Sequence, residues 1–248
     1  MSNLSIVQYI KQDAVTKRLN ELLGKRAPQF VTSLVSVANQ NQLLAKCKPE
    51  TVMSAALVAA SMDLPINQNL GFAYIIPYKD AAQFQMGYKG FIQLAQRSGY
   101  YKTINVTDVR EGEIVKFDRL TGEIEYEWIN NQKEREQAKL SGFVAYFKLL
   151  NGFEKSLYMT IDELEGHGKK YSKTFQYGKG LWADNFEAMA SKTVLKLLIS
   201  KYGPLNTQLA EAIQKDQTVD EEYLDNPNKV EVVDAELGES EEDAKEAK

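Results

Sequence analysis

Apolar residues recur at helical spacing through the first quarter of the chain and switch to strand-like alternation near Leu70. Val7 to Leu23 carries an apolar stripe that predicts one amphipathic helix stopping near Gly24. Pro28 suits the first turn of a second helix, which would bury Phe30, Leu34 and Val37. Pro49 opens a third, running through Val52, Ala56 and Ala60 and ending before Pro65. The small apolar run Ala55 to Ala60 predicts close packing against another element. Phe72–Tyr78 and Gln83–Met86 then read as strands, with Lys79-Asp80-Ala81-Ala82 as the hairpin connection. Tyr88–Arg97 reads as a short helix closed by Gly99. Tyr100–Val109, Glu113–Phe117 and Glu123–Trp128 read as strands, with Thr121-Gly122 turning between the last two. Asn130–Lys139 is polar and expected to be exposed. Phe143–Leu149 and Phe153–Met159 flank Asn151-Gly152, a pair that predicts a type I′ turn with positive φ at both residues.

A helix is expected from Thr160 or Asp162, followed by a mobile loop over Gly166–Gly180 rich in glycine, lysine and aromatics. Asp184 and Glu187 predict a capping box for a helix that runs to Lys201 and stops at Gly203-Pro204. A last helix spans Asn206–Lys215. The pattern is α+β: N-terminal helices, a central antiparallel sheet with hairpins, and C-terminal helices.

With 248 residues, 44% of them hydrophobic, the chain can bury one sizeable core. No run of about 18 apolar residues predicts a membrane span, and Met1–Asp13 lacks the apolar stretch of a secretory signal. The lone cysteine, Cys47, rules out an intrachain disulfide and fits a cytoplasmic setting. The net charge of −4 hides an asymmetry: residues 216–248 hold 13 acidic and 3 basic residues, net −10, which leaves residues 1–215 at +6. A basic body with an acidic tail suits a polyanion binder whose tail contacts something else; the alternative is a tail that only keeps the protein soluble. So charged a tail, with few apolar groups, is expected to be disordered.

Several chemistries lack their sequence marks. Gly166-His-Gly-Lys-Lys-Tyr-Ser172 has the wrong spacing for a Walker phosphate loop, which argues against an ATP-driven recombinase or helicase. One histidine and one cysteine cannot assemble a zinc site of the usual ligand types. His167, in the Gly/Lys segment, reads as a solvated polar residue rather than a catalytic base, and Cys47 as an unreactive thiol. No carboxylate pair has the pattern of a two-metal nuclease, although folding can bring distant carboxylates together.

What is present is lysine interleaved with aromatics. One segment holds Tyr78, Lys79, Gln83, Gln85, Tyr88, Lys89 and Arg97; a second is Tyr100-Tyr101-Lys102. The third holds Lys169, Lys170, Tyr171 and Lys173, followed by Trp182, Lys192 and Lys196. Cations neutralise phosphates and aromatic faces stack on bases, the combination needed for sequence-tolerant binding of a single strand. Gly87, Gly90, Gly166 and Gly168 would let the backbone approach phosphates. Each signal has a plainer reading: Tyr74, Tyr78 and Tyr88 as sheet or core residues, Trp182 as a core anchor, and Lys192 and Lys196 as a solvated helix face.

Taken in order, these blocks resemble the RecT family of phage DNA single-strand annealing proteins. The resemblance runs from Asn41–Thr51 through Ala55–Ala60, Leu70–Lys79 and Gln83–Ile92. It continues through Arg97–Gly99, Gly142–Tyr146 and Trp182–Thr193. Its most specific part is Tyr88-Lys-Gly90 after the strand ending Pro77-Tyr78-Lys79. The chain departs from the family pattern at Asp63, where glycine is common, at Leu181, where proline is usual, at Ser191, where lysine is common, and at Lys196 and Leu197, where arginine is common. The resemblance implies ATP-independent annealing and strand pairing, without cofactor or metal, by a core distantly similar to that of lambda Red beta. It implies binding of single-stranded DNA and the annealed duplex by a homo-oligomer, a ring or helical filament, in the cytoplasm of a bacterial host. It also implies a phage exonuclease and host single-strand binding protein as partners of the acidic tail.

The organisation expected is therefore an N-terminal helical segment for subunit contacts over residues 1–40, a DNA-binding annealing core over 41–215, and the tail over 216–248. The competing readings are a passive single-strand binding module, a nuclease and a structural phage protein.

Overall fold

The structure is a computed structural model and describes residues 4–172 and 174–216. The tail expected to be disordered thus lies, from residue 217 on, outside the described residues. The chain divides at Gly90 into two compact units: residues 1–90 with the end of the chain from Gln214, and residues 91–213. Helices, antiparallel strands and closing helices follow one another as the α+β pattern predicts.

In the first unit the expected N-terminal helix is two helices, α1 (Ile6–Ile10) and α2 (Asp13–Leu23). Ser5 and Gln8 form a capping box on α1, and Gln12 is extended at ψ 133°. The break is stabilised because the Thr16 hydroxyl donates to the Ile10 carbonyl at 2.8 Å, satisfying a helix-end acceptor. Ile6, Ile10, Val15, Leu19 and Leu23 are buried within the unit, so the apolar stripe is already covered by the chain's own core. α3 (Ala27–Gln40) and α4 (Pro49–Ser61) both carry proline in the first turn. Every residue from Pro49 to Ala59 except Glu50 is buried, because small side chains let α4 pack against α1, α3 and a hairpin at once.

Asp63, just past α4, holds φ +52°, the left-handed region that explains why glycine is common there; its carboxylate accepts from Arg26 at 3.1 Å. The hairpin pairs β1 (Ala73–Tyr78) with β2 (Ala81–Met86), Tyr78 opposite Ala81. The turn is therefore two residues, Lys79-Asp80, with φ +53° at Lys79; Ala81 and Ala82 belong to the strand. Cys47 is buried, donates to the Ala81 carbonyl at 3.2 Å, and has its thiol pushed up by burial and by Asp80, which fits an unreactive thiol. α5 (Tyr88–Ser98) follows and crosses the boundary between the units.

In the second unit β3 (Tyr101–Arg110) precedes the small hairpin β4 (Ile114–Phe117) and β5 (Ile124–Tyr126), and α6 (Gln132–Gln137) follows it. β6 (Leu140–Leu149) and β7 (Glu154–Thr160) complete a three-stranded antiparallel sheet in the order β3-β6-β7. The Asn151-Gly152 turn differs from expectation: Gly152 alone has positive φ, at +92°. Gly152 N–H donates to the Leu149 carbonyl and Leu149 N–H to the Phe153 carbonyl, which makes a three-residue loop with a glycine bulge. Asn151 caps it from its side chain, accepting from Phe153 N–H at 3.0 Å.

α7 (Ile161–Tyr171) starts at a Thr160–Glu163 capping box and continues through Gly166–Tyr171, the first part of the expected loop. The expected box at Asp184 does not form. Asp184 ends a short helix, α8 (Leu181–Asp184), and α9 (Phe186–Tyr202) starts after Asn185 without a side-chain cap. α9 lies on the sheet face carrying Phe147, where Lys155 opposite it reaches the Tyr202 ring at 5.3 Å. α10 (Thr207–Lys215) is capped by Asn206.

The polar segment 130–139 contains an unexpected tie. Glu113, 0% exposed, accepts from Arg135 Nε at 2.8 Å and from Arg110 N–H at 2.7 Å. Arg135 and Arg110 also reach Asp108 at 3.1 and 2.8 Å. Burial works against the Asp108 charge, but hydrogen bonds and charge from the two arginines hold its carboxyl below the ordinary 3.8. Its contribution to stability is thus present above that ordinary value and is lost as pH falls through the lower folded value. Arg135→Met should destabilise the protein by roughly 2–4 kcal/mol, since it leaves the Glu113 charge buried without its main partner; urea denaturation measures this.

Asp216, assigned to the tail by its charge, is buried and accepts from Met86 N–H at 2.9 Å. Asp216→Ala should cost about 1–3 kcal/mol by leaving that buried N–H unsatisfied. A chain ending after Asp216 should keep the thermal midpoint of the full protein in a melting experiment.

Candidate nucleic-acid interface

Each unit carries its own group of aromatics and lysines. In the first, the β1–β2 hairpin and the start of α5 bring Tyr74, Tyr88 and Lys89 round Gly71. A side chain at Gly71 would meet the Lys89 stem and the Tyr74 hydroxyl, each 3.3 Å from the Cβ that glycine lacks. The Tyr74 phenol is pushed up by burial and by its neighbour Tyr88. Lys89 is exposed beyond this apolar footing. At the hairpin tip Lys79 is exposed, with its ammonium 5.6 Å from the Tyr78 ring centroid.

Gln85 is 6% exposed and Gln83 is buried with it, so neither amide is on the surface. A Cβ on Gly87 would collide with the Gly71 carbonyl, and one on Gly90 with the Phe72 carbonyl. The close approach these glycines permit is therefore to their own chain and not to a phosphate.

In the second unit Arg97 at the end of α5 and Lys102 on β3 are exposed. Lys169 pairs with Glu165 one turn earlier at 3.1 Å, and Lys170 lies 5.0 Å from the Tyr171 ring. Lys173 lies outside the described residues. Trp182 is 3% exposed, with ring centroids of His167, Phe175 and Phe186 at 6.0, 5.8 and 5.8 Å. It anchors the group from within and offers no face to a base. A Cβ on Gly168 would sit 2.9 Å from Phe175 and 3.0 Å from Trp182, so this glycine too serves packing.

Lys192 is 4% exposed and Lys196 half-buried, which removes the plain reading of a solvated lysine face. Both act on His167. Its imidazole is pushed down to about 4, first by burial and then by Lys196, Lys170 and Lys192. The charges of Lys196, Lys170 and Lys192 thus all raise the positive potential at this half-buried ring, which suits a polyanion.

His167 is the residue that sequence pattern alone leaves in solvent. Leu164, His167, Gly168 and Tyr171 fall at i, i+3, i+4 and i+7 of α7, one helical row. Placing Gly166–Tyr171 in a loop hides that row.

Comparison with known proteins follows the same residues. The RecT family profile matches residues 28–231, a span that contains both groups. The chain is 46% identical over 231 residues to "Uncharacterized protein YqaK" of Bacillus subtilis (strain 168), covering 92% of this chain and 78% of that protein. It is 26% identical over 227 residues to "Protein RecT" of Escherichia coli (strain K12), covering 88% and 82% respectively. The chain belongs to the RecT family.

Proposed function

We propose that this protein binds single-stranded DNA and pairs it with its complement, without ATP, as a homo-oligomer that also holds the annealed duplex. Membership of the RecT family makes it a recombination and annealing protein. The observation that supports the finer reading is the lysine–aromatic group of α7 and α9: Lys170 lies 5.0 Å from the Tyr171 ring, Tyr171 lies 4.5 Å from His167, and Lys196 on α9 acts on that histidine by its charge, all within the span the family matches. Lysines that meet over an aromatic floor neutralise phosphates at a fixed place, so a strand is held in one path with its bases free to pair. Lys79, beside the Tyr78 ring, and Lys89, packed with Tyr74 round Gly71, do the same work in the first unit.

For self-association the stripe of α1 and α2 is already committed to the core. Val115, Phe117 and Trp128, at 62, 43 and 42% exposure around the β4–β5 hairpin, offer apolar surface instead.

The basic assay is to mix two complementary oligonucleotides with the protein in the absence of ATP. Faster duplex formation with intact strands is the expected result. Binding without acceleration would make the chain a passive binder, and cleavage would make it a nuclease. Lys89→Gln and Lys196→Gln should each weaken binding and flatten the log–log salt dependence by roughly 0.7 for each phosphate left without its cation. Variants with wild-type slope and affinity would take those lysines out of the site.

The acidic tail is the surface for other proteins: phosphates repel it, and it is free to meet host single-strand binding protein or a phage exonuclease. A chain ending after Asp216 should anneal naked strands as the full protein does and lose activity on strands coated with the host binding protein. Equal activity of the two chains on coated strands would reduce the tail to a solubility device.

A further inference from the structure

The chain has a single histidine, and it lies on the inner row of α7. The His167 ring centroid is 4.5 Å from that of Tyr171 and 6.0 Å from that of Trp182, and the ring is half-buried, so part of it remains open to solvent. The charges that act on it are Lys170 from its own helix and Lys196 and Lys192 from α9. Trp182 of α8 faces it with an uncharged ring, and Phe175, in the turn between α7 and α8, backs Trp182 at 5.8 Å. On its own helix the titratable neighbours are the Tyr171 phenol and, one turn back, Glu163, whose carboxylate accepts from the Thr160 N–H and hydroxyl at 2.8 and 3.1 Å; Glu165, two residues away, is engaged by Lys169 at 3.1 Å.

We propose that His167 is a proton-linked contact of the DNA site: neutral in the free protein, it takes a proton from solvent as a phosphate settles against Lys170 and Lys196, with the buried Lys192 acting only through its charge, and donates that proton in a hydrogen bond to the phosphate. The proposal rests on the reading of this cluster as a DNA site and adds to it a residue and a pH response.

The physical argument is one of charge balance. In the free protein two effects keep the imidazole uncharged, burial and the repulsion of three ammonium groups, which together bring its pKa to about 4. A phosphate placed among the lysines cancels the repulsion and adds an attraction of its own, so the value rises on binding. The bound state then holds more protons than the free state. Affinity for DNA must therefore increase as pH falls between the bound and free values, with a limit of one proton, or about tenfold per pH unit. At about pH 8 the ring is neutral in both states and this gain is absent. The same linkage runs the other way for folding. A histidine held neutral costs the free protein stability as pH falls below its ordinary value of 6.5, and bound DNA offsets that loss.

Because there is one imidazole in the chain, the test is direct. Binding of a labelled oligothymidine to the full-length protein would be followed by anisotropy from about pH 8 to about pH 5.5 at constant salt. Calorimetry in two buffers of different ionisation heat would count the protons taken up. The wild type is expected to tighten several-fold over this range and to take up a fraction of a proton per subunit, approaching one. His167→Gln and, as a second side chain of different length, His167→Asn are expected to lose most of that tightening and the uptake. No uptake by the wild type, or the same uptake and pH slope in the two variants, overturns the proposal. Lys196→Gln separates this from the underlying reading. If it flattens the salt dependence at about pH 8 while the wild type shows no uptake, the DNA site stands and the proton linkage falls. If neither Lys196→Gln nor the histidine variants alter binding at any pH, both fall.

Discussion

Trp182 lies against Gly168, and the lysine–aromatic cluster of the second unit is built round that contact. Only a residue without a side chain allows α7 to come this close to the indole. The approach sets the His167, Phe175 and Phe186 rings round Trp182, with Tyr171 against His167. Burial among the rings, and after it the charges of Lys196, Lys170 and Lys192, keep the imidazole neutral. A methyl group at Gly168 would push Phe175 and Trp182 outward and disperse that field.

The cluster shows a division of labour among aromatics that composition does not reveal. Trp182 is structural: it organises charges without meeting a ligand. Tyr78 and Tyr171 each have a lysine ammonium beside the ring, at 5.6 and 5.0 Å. A lysine packed on a ring loses less freedom when it meets a phosphate than one waving in solvent, because much of its ordering is already complete. Charge alone would attract DNA. Charge set on fixed rings would, on the proposed reading, give the strand the defined path that pairing requires.

Charges elsewhere serve the fold. Asp108, Glu113, Arg110 and Arg135 make a closed network that ties β3, the start of the β4–β5 hairpin and α6 together. Asp216 closes the backbone of β2. Both lie in segments whose composition alone suggests solvent-facing polar chain, and both show that a carboxylate's role depends on the donor it meets. The remainder of the acidic run, residues 217–248, still holds 12 acidic and 3 basic residues.

The sequence by itself determined the order of elements, the α+β class, the β1–β2 hairpin and the family. These rest on local signals: proline in first turns, alternation in strands, glycine at stops, and motifs that keep their spacing. It also marked the lysines and aromatics as one chemical inventory. Tertiary structure decided which of them reach the surface. Gln85 looked available because alternation assigns faces without saying which is covered, and Lys192 looked solvated because its helix was read without the neighbours that bury it. His167 changed most. Its row is visible only once Gly166 and Gly168 are accepted inside a helix, and two glycines argue against that on propensity. Packing reverses the local preference, since the contact of Gly168 with Trp182 offsets the weak propensity, and no local rule contains that partner fourteen residues away.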